Sequence, residues 1–215
     1  MSYEFDPSLK KYQQNPATWG AKDPRYRQAN THDLFREKLK AMHQPRVLEI
    51  GVKRSIPDRP TIHRGWAPHA SSYIGVDLED GLDVDVVADI HELSHHISPN
   101  SIDALLCISV LEHVERPWVA ACEIAKVLKP GGWVFCATHQ TFPIHGFPKD
   151  YWRFTREALE SLFSPEVGFA DVTSFYAFPC DIRAEEASDT WQHFSFLHAS
   201  IVARKERDPK EWVLR

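Results

Sequence analysis

Short apolar runs that close on an acid or a small polar residue alternate, through the middle of the chain, with segments whose apolar positions recur every three or four residues. The runs are Arg46–Val52, Ser72–Asp77, Val84–Asp89, Ile102–Ser109 and Trp133–Thr138. Near-continuous apolar character is the mark of a strand buried on both faces, which a parallel sheet flanked by helices requires. Between the fourth and fifth runs, Pro117 presets a first helical turn, and Trp118, Ala121, Cys122, Ala125 and Leu128 share one face before Lys129-Pro-Gly-Gly132 stops the helix. Upstream, Asn30 or Thr31 can cap a helix that turns Leu34, Phe35, Leu39 and Met42 toward the sheet. Downstream, Thr155 caps another, with Phe154 and Leu159 as a hydrophobic staple and Glu157 near its N-terminus. Two last strands, near Ala170–Tyr176 and Ser195–Ala203, complete a seven-stranded sheet with an antiparallel hairpin at one edge.

In such a sheet, ligands bind beyond the carboxyl ends of the strands. Glu49 followed by Gly51 closes the first run, and the glycine lets main chain approach a ligand while the carboxylate accepts from an ammonium or a hydroxyl. Asp77 closes the second run, where a carboxylate can accept hydrogen bonds from a ribose diol, and Asp89 closes the third. The long span from Gly51 to Asp77 carries Pro57, Pro60 and Pro68, so its crossover is expected to be irregular rather than helical.

Glu49-Ile-Gly51, Gly75-Val-Asp-Leu78, Ala88-Asp-Ile90, Val110-Leu-Glu-His-Val114 and Val127-Leu-Lys-Pro-Gly-Gly132 stand in the order and rough spacing of one family. The chain resembles the class I S-adenosylmethionine-dependent methyltransferases, most of all the broad type 11 small-molecule group. The resemblance covers residues 45 to 163 closely. It implies an α/β, Rossmann-like three-layer sandwich, S-adenosylmethionine as cofactor, and a cofactor set of Glu49, Gly51, Val52, Ser55, Asp77, Leu78, Asp89, Ile90, Ser109 and His113. Within that set the resemblance puts Asp89 and Ile90 beside adenine and His113 near the methionine end. The loop after Glu49 departs from the family pattern, because only the first of three alternating glycines is present and Val52, Lys53, Arg54 and Ser55 follow it. His145–Thr155 is also similar to a stretch in methyltransferases of glycan and secondary-metabolite genes.

Length and composition place this reading in one ordinary domain: 215 residues, 43% hydrophobic and 26% charged. A net charge of −5 argues against a general nucleic-acid binder. The longest apolar stretch, near residues 104 to 111, is too short to span a bilayer, and the N-terminus lacks a basic-then-apolar leader, so a cytoplasmic location is expected. Cys107, Cys122, Cys136 and Cys180 have no metal-ligand spacing and read as reduced thiols. Three segments follow: an arm or lid over 1–30, with Tyr12, Trp19 and Tyr26, the methyltransferase domain over 31–204, and a solvated charged tail over 205–215. A homodimer is compatible with all of this.

Methyl transfer from a sulfonium is an in-line displacement in which positioning supplies most of the rate. A hydroxyl acceptor adds the need for a general base, and the substrate side of the sheet offers His139, His145, Asp150 and Tyr151. Each has a second role open to it: His139 and His145 as loop anchors, Tyr151 and Trp152 as packing, Asp150 as the ion-pair partner of Arg153. Asp89, His91, His95 and His96 have the donor types and the four-residue spacing of a metal site, but histidines four apart arise often on solvated helices, and no metal is expected. The leading function is methyl transfer to oxygen or nitrogen of a small molecule such as a sugar, glycan precursor or secondary metabolite. The alternatives are a degenerate Rossmann-like binding module without turnover and a nicotinamide-dependent oxidoreductase, the latter disfavoured because the first loop lacks a three-glycine phosphate cradle.

Overall fold

The computed structural model describes residues 31–54, 56–183 and 192–210. The expected arm over 1–30, the cap at Asn30, Ser55 and the end of the chain after 210 lie outside the described residues. Helix α1 (Thr31–Ala41) leads into β1 (Arg46–Ile50), β2 (Ser72–Asp77), β3 (Val86–Val87), the short α2 (Leu93–His96), β4 (Ile102–Ile108), α3 (Pro117–Val127), β5 (Leu128–His139), α4 (Arg156–Leu162), β6 (Phe169–Arg183) and β7 (Gln192–Lys205).

The seven strands form one sheet in the order β3-β2-β1-β4-β5-β7-β6. β1 pairs in parallel with β2 and β4, and β4 with β5, whereas β7 runs antiparallel to both β5 and β6. This is the Rossmann-like sandwich with an antiparallel edge hairpin that the apolar pattern implies. Strand alternation splits the core in two. Val47, Ala104, Leu106 and Phe135 meet Phe35 and Leu39 of α1 on one face, while Leu48, Ile50, Leu105 and Cys107 meet Ile124, Val127 and Leu159 on the other. Among the described residues between β1 and β2, the proline-bearing span forms a short bridge between Ile56 and Arg59 and a 3-10 turn at Arg64–Trp66, and Trp66 covers the first face by packing 5.9 Å from Phe135.

Particular elements differ from expectation. Trp118 is half exposed, because α3 buries Ala120, Ala121, Ile124, Ala125 and Val127 and leaves Trp118 against Trp152 at the surface. The third apolar run pairs only at Val86 and Val87. The last two strands are longer than their apolar runs, since their pairing passes the end of β5 at His139 and continues to Arg183 and Gln192. Gln140 extends this edge: its N–H donates to the Leu197 carbonyl at 2.8 Å, and its side-chain oxygen accepts from Ser195 Oγ and Phe196 N. Lys205, read as part of a solvated tail, is a correction, because it ends β7 and is fully buried. Its ammonium donates to Asn100 Oδ1, the Leu128 carbonyl and Asp208 Oδ1 at 2.6–2.7 Å, so all three of its donors are satisfied.

Candidate active site

The carboxyl ends of β1, β2 and β4 open into a cavity of about 480 Å³ that gathers Gly51, Asp77, Leu78, Asp89, Ile90, Ser109 and His113. Gly51 turns the chain at φ +80, and a Cβ on it would stand 2.3 Å from Val110 Cγ2, so the cradle requires glycine. Asp77 accepts from the N–H groups of Lys53 at 2.9 Å and Glu79 at 3.2 Å, which fixes its carboxylate while leaving lone pairs free. Asp89 caps a 3-10 turn by accepting from His91 N at 2.9 Å and contacts the His91 ring at 2.6 Å. Burial raises the Asp89 carboxyl, but the His91 hydrogen bonds outweigh it and hold the group below the ordinary range. Ser109 adopts φ 53 as the chain leaves β4, with its N–H bonded to the Ala137 carbonyl.

Two residues of the expected cofactor set stand elsewhere, and a third falls outside the described residues. Glu49 does not line this cavity: it is buried on the α1 side, where it accepts from His63 N at 2.8 Å and Tyr73 Oη at 2.5 Å and contacts His63 Nδ1 at 2.6 Å. Strand alternation explains the correction, because Ile50 faces the cavity and its neighbour must face away. Val52 is buried, its Cγ2 only 2.9 Å from where a Cβ on Gly75 would lie, and Ser55 is outside the described residues. Lys149 and Glu115 also line the cavity, and neither belongs to a motif that marks it.

On the acceptor side, the loop after β5 is sewn to the 3-10 turn Leu111–His113. Tyr151 N and Trp152 N both donate to the Glu112 carbonyl, Trp152 Nε1 donates to the Val114 carbonyl, and His113 Nδ1 lies 2.6 Å from the Lys149 carbonyl. Tyr151 lines the cavity, whereas His139, His145 and Asp150 do not. Asp150 forms a bidentate pair with Arg153 at 2.6 and 2.8 Å and also accepts from His145 N. The Arg153 guanidinium holds its carboxyl far below the usual carboxylate range, which makes Asp150 a poor proton acceptor. His139 is buried at the tip of β5, stacked 4.1 Å from Phe142 and edge-on to His145 and His198.

Glu112, within the Val110–Val114 motif, is fully buried against the His139 ring. Thr138 Oγ1 donates to its Oε2 at 2.6 Å, and its Oε1 lies 2.6 Å from His139 Nδ1, within ion-pair reach but without the alignment of a full hydrogen bond. Burial raises this carboxyl, and the His139 and Thr138 contacts more than reverse it, so the group stays ionised. The histidines weighed as metal ligands are arranged otherwise: His91 Nε2 accepts from Arg116 N, and His95 and His96 are exposed in the four-residue α2.

Residues 62–136 match a protein family described as a methyltransferase domain. Among solved structures, an Archaeoglobus fulgidus SAM-dependent methyltransferase superposes with a TM-score of 0.54 at 16% identity, covering 83% of this chain and 96% of that one. The fold is that of the SAM-dependent methyltransferases, and the family match lies within residues 62–136. A second structure of the same fold is a Burkholderia thailandensis 1,6-didemethyltoxoflavin-N1-methyltransferase with 1,6-didemethyltoxoflavin and S-adenosylhomocysteine bound, with a TM-score of 0.54, 15% identity and coverage of 93% and 86%. Among curated proteins, a ubiquinone biosynthesis O-methyltransferase of Burkholderia vietnamiensis is 43% identical over 61 residues, 28% of this chain. The chain thus spans about a quarter of that relative, 26% of its length. No helix among the described residues is long and apolar enough to cross a membrane.

Proposed function

We propose that the chain transfers a methyl group from S-adenosylmethionine to an oxygen or nitrogen of a small molecule. The observation that carries this reading is the single cavity into which the tips of β1, β2 and β4 bring the Gly51 cradle and the carboxylates of Asp77 and Asp89. The donor set fits a nucleoside: Asp77 would accept from the ribose diol and Asp89 from the exocyclic amine of adenine, with Leu78 and Ile90 against the ring. When bound, the cofactor supplies a sulfonium-borne methyl that leaves a neutral thioether behind. The chain's own part is to align the acceptor, worth roughly 7 to 11 kcal/mol of the barrier, and to exclude water.

Proton removal from a hydroxyl acceptor falls to the imidazoles His139 and His145, because Asp150 is committed to Arg153. Replacing each histidine in turn by Asn should lower turnover on a hydroxyl acceptor, and wild-type rates in both variants would remove them from the mechanism. Phe142, Ile144 and Phe147 are exposed on the same loop as Tyr151, a surface suited to a ring-bearing secondary metabolite. The names of the two Burkholderia proteins, one an O-methyltransferase and one an N1-methyltransferase, support this range of acceptors.

Calorimetric titration tests the reading directly. S-adenosylmethionine and S-adenosylhomocysteine should both bind, and Asp77→Asn should weaken each by about tenfold or more, roughly 1.4 kcal/mol, with an unchanged circular dichroism spectrum. No binding at millimolar cofactor would defeat the proposal and leave a binding module without this chemistry.

A further inference from the structure

We propose that Glu112, His113 and His145 form a site for one divalent transition-metal ion in the wall between the cofactor cavity and the acceptor loop. One ligand atom from each of the three lies within 4.8 Å of the others, and His113 itself lines the cavity. Two imidazoles and a carboxylate are a donor set for first-row ions such as Zn²⁺, Co²⁺ or Mn²⁺, and three protein ligands leave coordination positions open.

Two independent features point the same way. The first is polar bookkeeping around Glu112. Its fully buried carboxyl group puts Oε1 2.6 Å from His139 Nδ1 without the alignment of a hydrogen bond, so neither atom is fully satisfied by the other. A cation bound to Oε1 would satisfy it. The second is the outer layer around the two rings. Ligating histidines ordinarily turn their second nitrogen to a carbonyl or carboxylate. Here His113 Nδ1 meets the Lys149 carbonyl at 2.6 Å, and His145 Nδ1 meets the Pro143 carbonyl at 3.2 Å and Asp150 Oδ2 at 3.4 Å. Each ring therefore keeps its Nε2 for a ligand.

Atoms bound to one ion by bonds of about 2.1 Å stand at most about 4.2 Å apart, so a pair at the 4.8 Å limit must close by about 0.6 Å or more. His145 can supply that movement, as it sits in a loop next to Gly146 at φ 64. Gly146 also presses on His113, since a Cβ there would lie 2.8 Å from the ring's Cε1. On the methyl-transfer reading, the ion would hold an oxygen of the acceptor, and His145, once ligated, would leave proton removal to His139; the site itself does not rest on that reading.

Uptake is measured on chelator-treated protein without cofactor or acceptor, so its outcome is independent of methyl transfer. Titration with Co²⁺, followed by calorimetry and ligand-field absorption, should show about one ion per chain. His145→Ala should weaken uptake at least tenfold, and Gly146→Ala should weaken it by displacing His113. Replacement of His95, exposed on α2, should leave it unchanged. Circular dichroism verifies that each variant is folded. Absence of stoichiometric uptake by wild type, or undiminished uptake by folded His145→Ala, would overturn the site.

Discussion

Gly51→Ala places one methyl group at the point where the cofactor cradle is tightest. Its backbone sits at φ +80, where an L-residue costs about 1–2 kcal/mol more than glycine. The new Cβ would stand 2.3 Å from Val110 Cγ2, and an overpacked contact of that kind costs about 1–3 kcal/mol. Together these predict a loss of about 2–5 kcal/mol in urea denaturation, with weaker S-adenosylmethionine binding because both residues line the cavity. The two causes are separable. Val110→Ala in the same chain removes the clash but not the backbone strain, so the double variant should recover about 1–3 kcal/mol relative to the sum of the single losses. Strict additivity of the two losses, or a Gly51→Ala cost below about 0.5 kcal/mol, would refute this account of the cradle.

Burial, and next the neighbouring His139, lower the His198 pKa from 6.5 to about 4. Between those values the unfolded chain takes up a proton that the folded chain refuses, so stability rises with pH across this window and the contribution is complete above it. At about 1.4 kcal/mol per pH unit the contribution is of the order of 3 kcal/mol, and His198→Gln should flatten the pH dependence of denaturation between pH 4 and 6.5; parallel curves for the two proteins would refute the assignment. Thr155 accepts from Ala158 N at 3.1 Å as the cap of α4, and Thr155→Ala should cost about 1 kcal/mol in thermal unfolding while Thr155→Ser keeps most of it. Lys205→Met should cost about 3 kcal/mol in urea denaturation, because it strands Asn100 Oδ1 and the Leu128 carbonyl; a near-neutral result would mean that water replaces the ammonium.

The sheet was legible because its central strands β1, β4 and β5 are buried on both faces, which forces an apolar run, and because glycines and prolines mark the turns between runs. The strand tips were legible for the same reason: Gly51, Asp77 and Asp89 close runs, and all three face the cavity. Glu49 closes a run as well, yet alternation turns it to the opposite core, where His63 and Tyr73 take it up. Periodicity fixes which residues share a face; the neighbour each face meets depends on crossovers such as the irregular span before β2. The acceptor side was less legible still. Glu112 finds Thr138 and His139 across 26 residues of chain, a contact that no local pattern signals. Lys205 sits in a charge run, and its burial follows only from the acceptors that surround its ammonium.

The edge made by Gln140 ties the long β6–β7 ribbon to the loop that carries His145, Asp150 and Tyr151. Gln140 N–H and Thr141 N–H both reach the Leu197 carbonyl, and Thr141 Oγ1 lies 2.7 Å from Ser195 Oγ. Ribbon and loop are therefore mechanically one part, and any swing of the protruding strands carries His139 and His145 with it. Changes near Ser195 and Leu197 would reach turnover as a lever reaches its load, without touching a reacting atom.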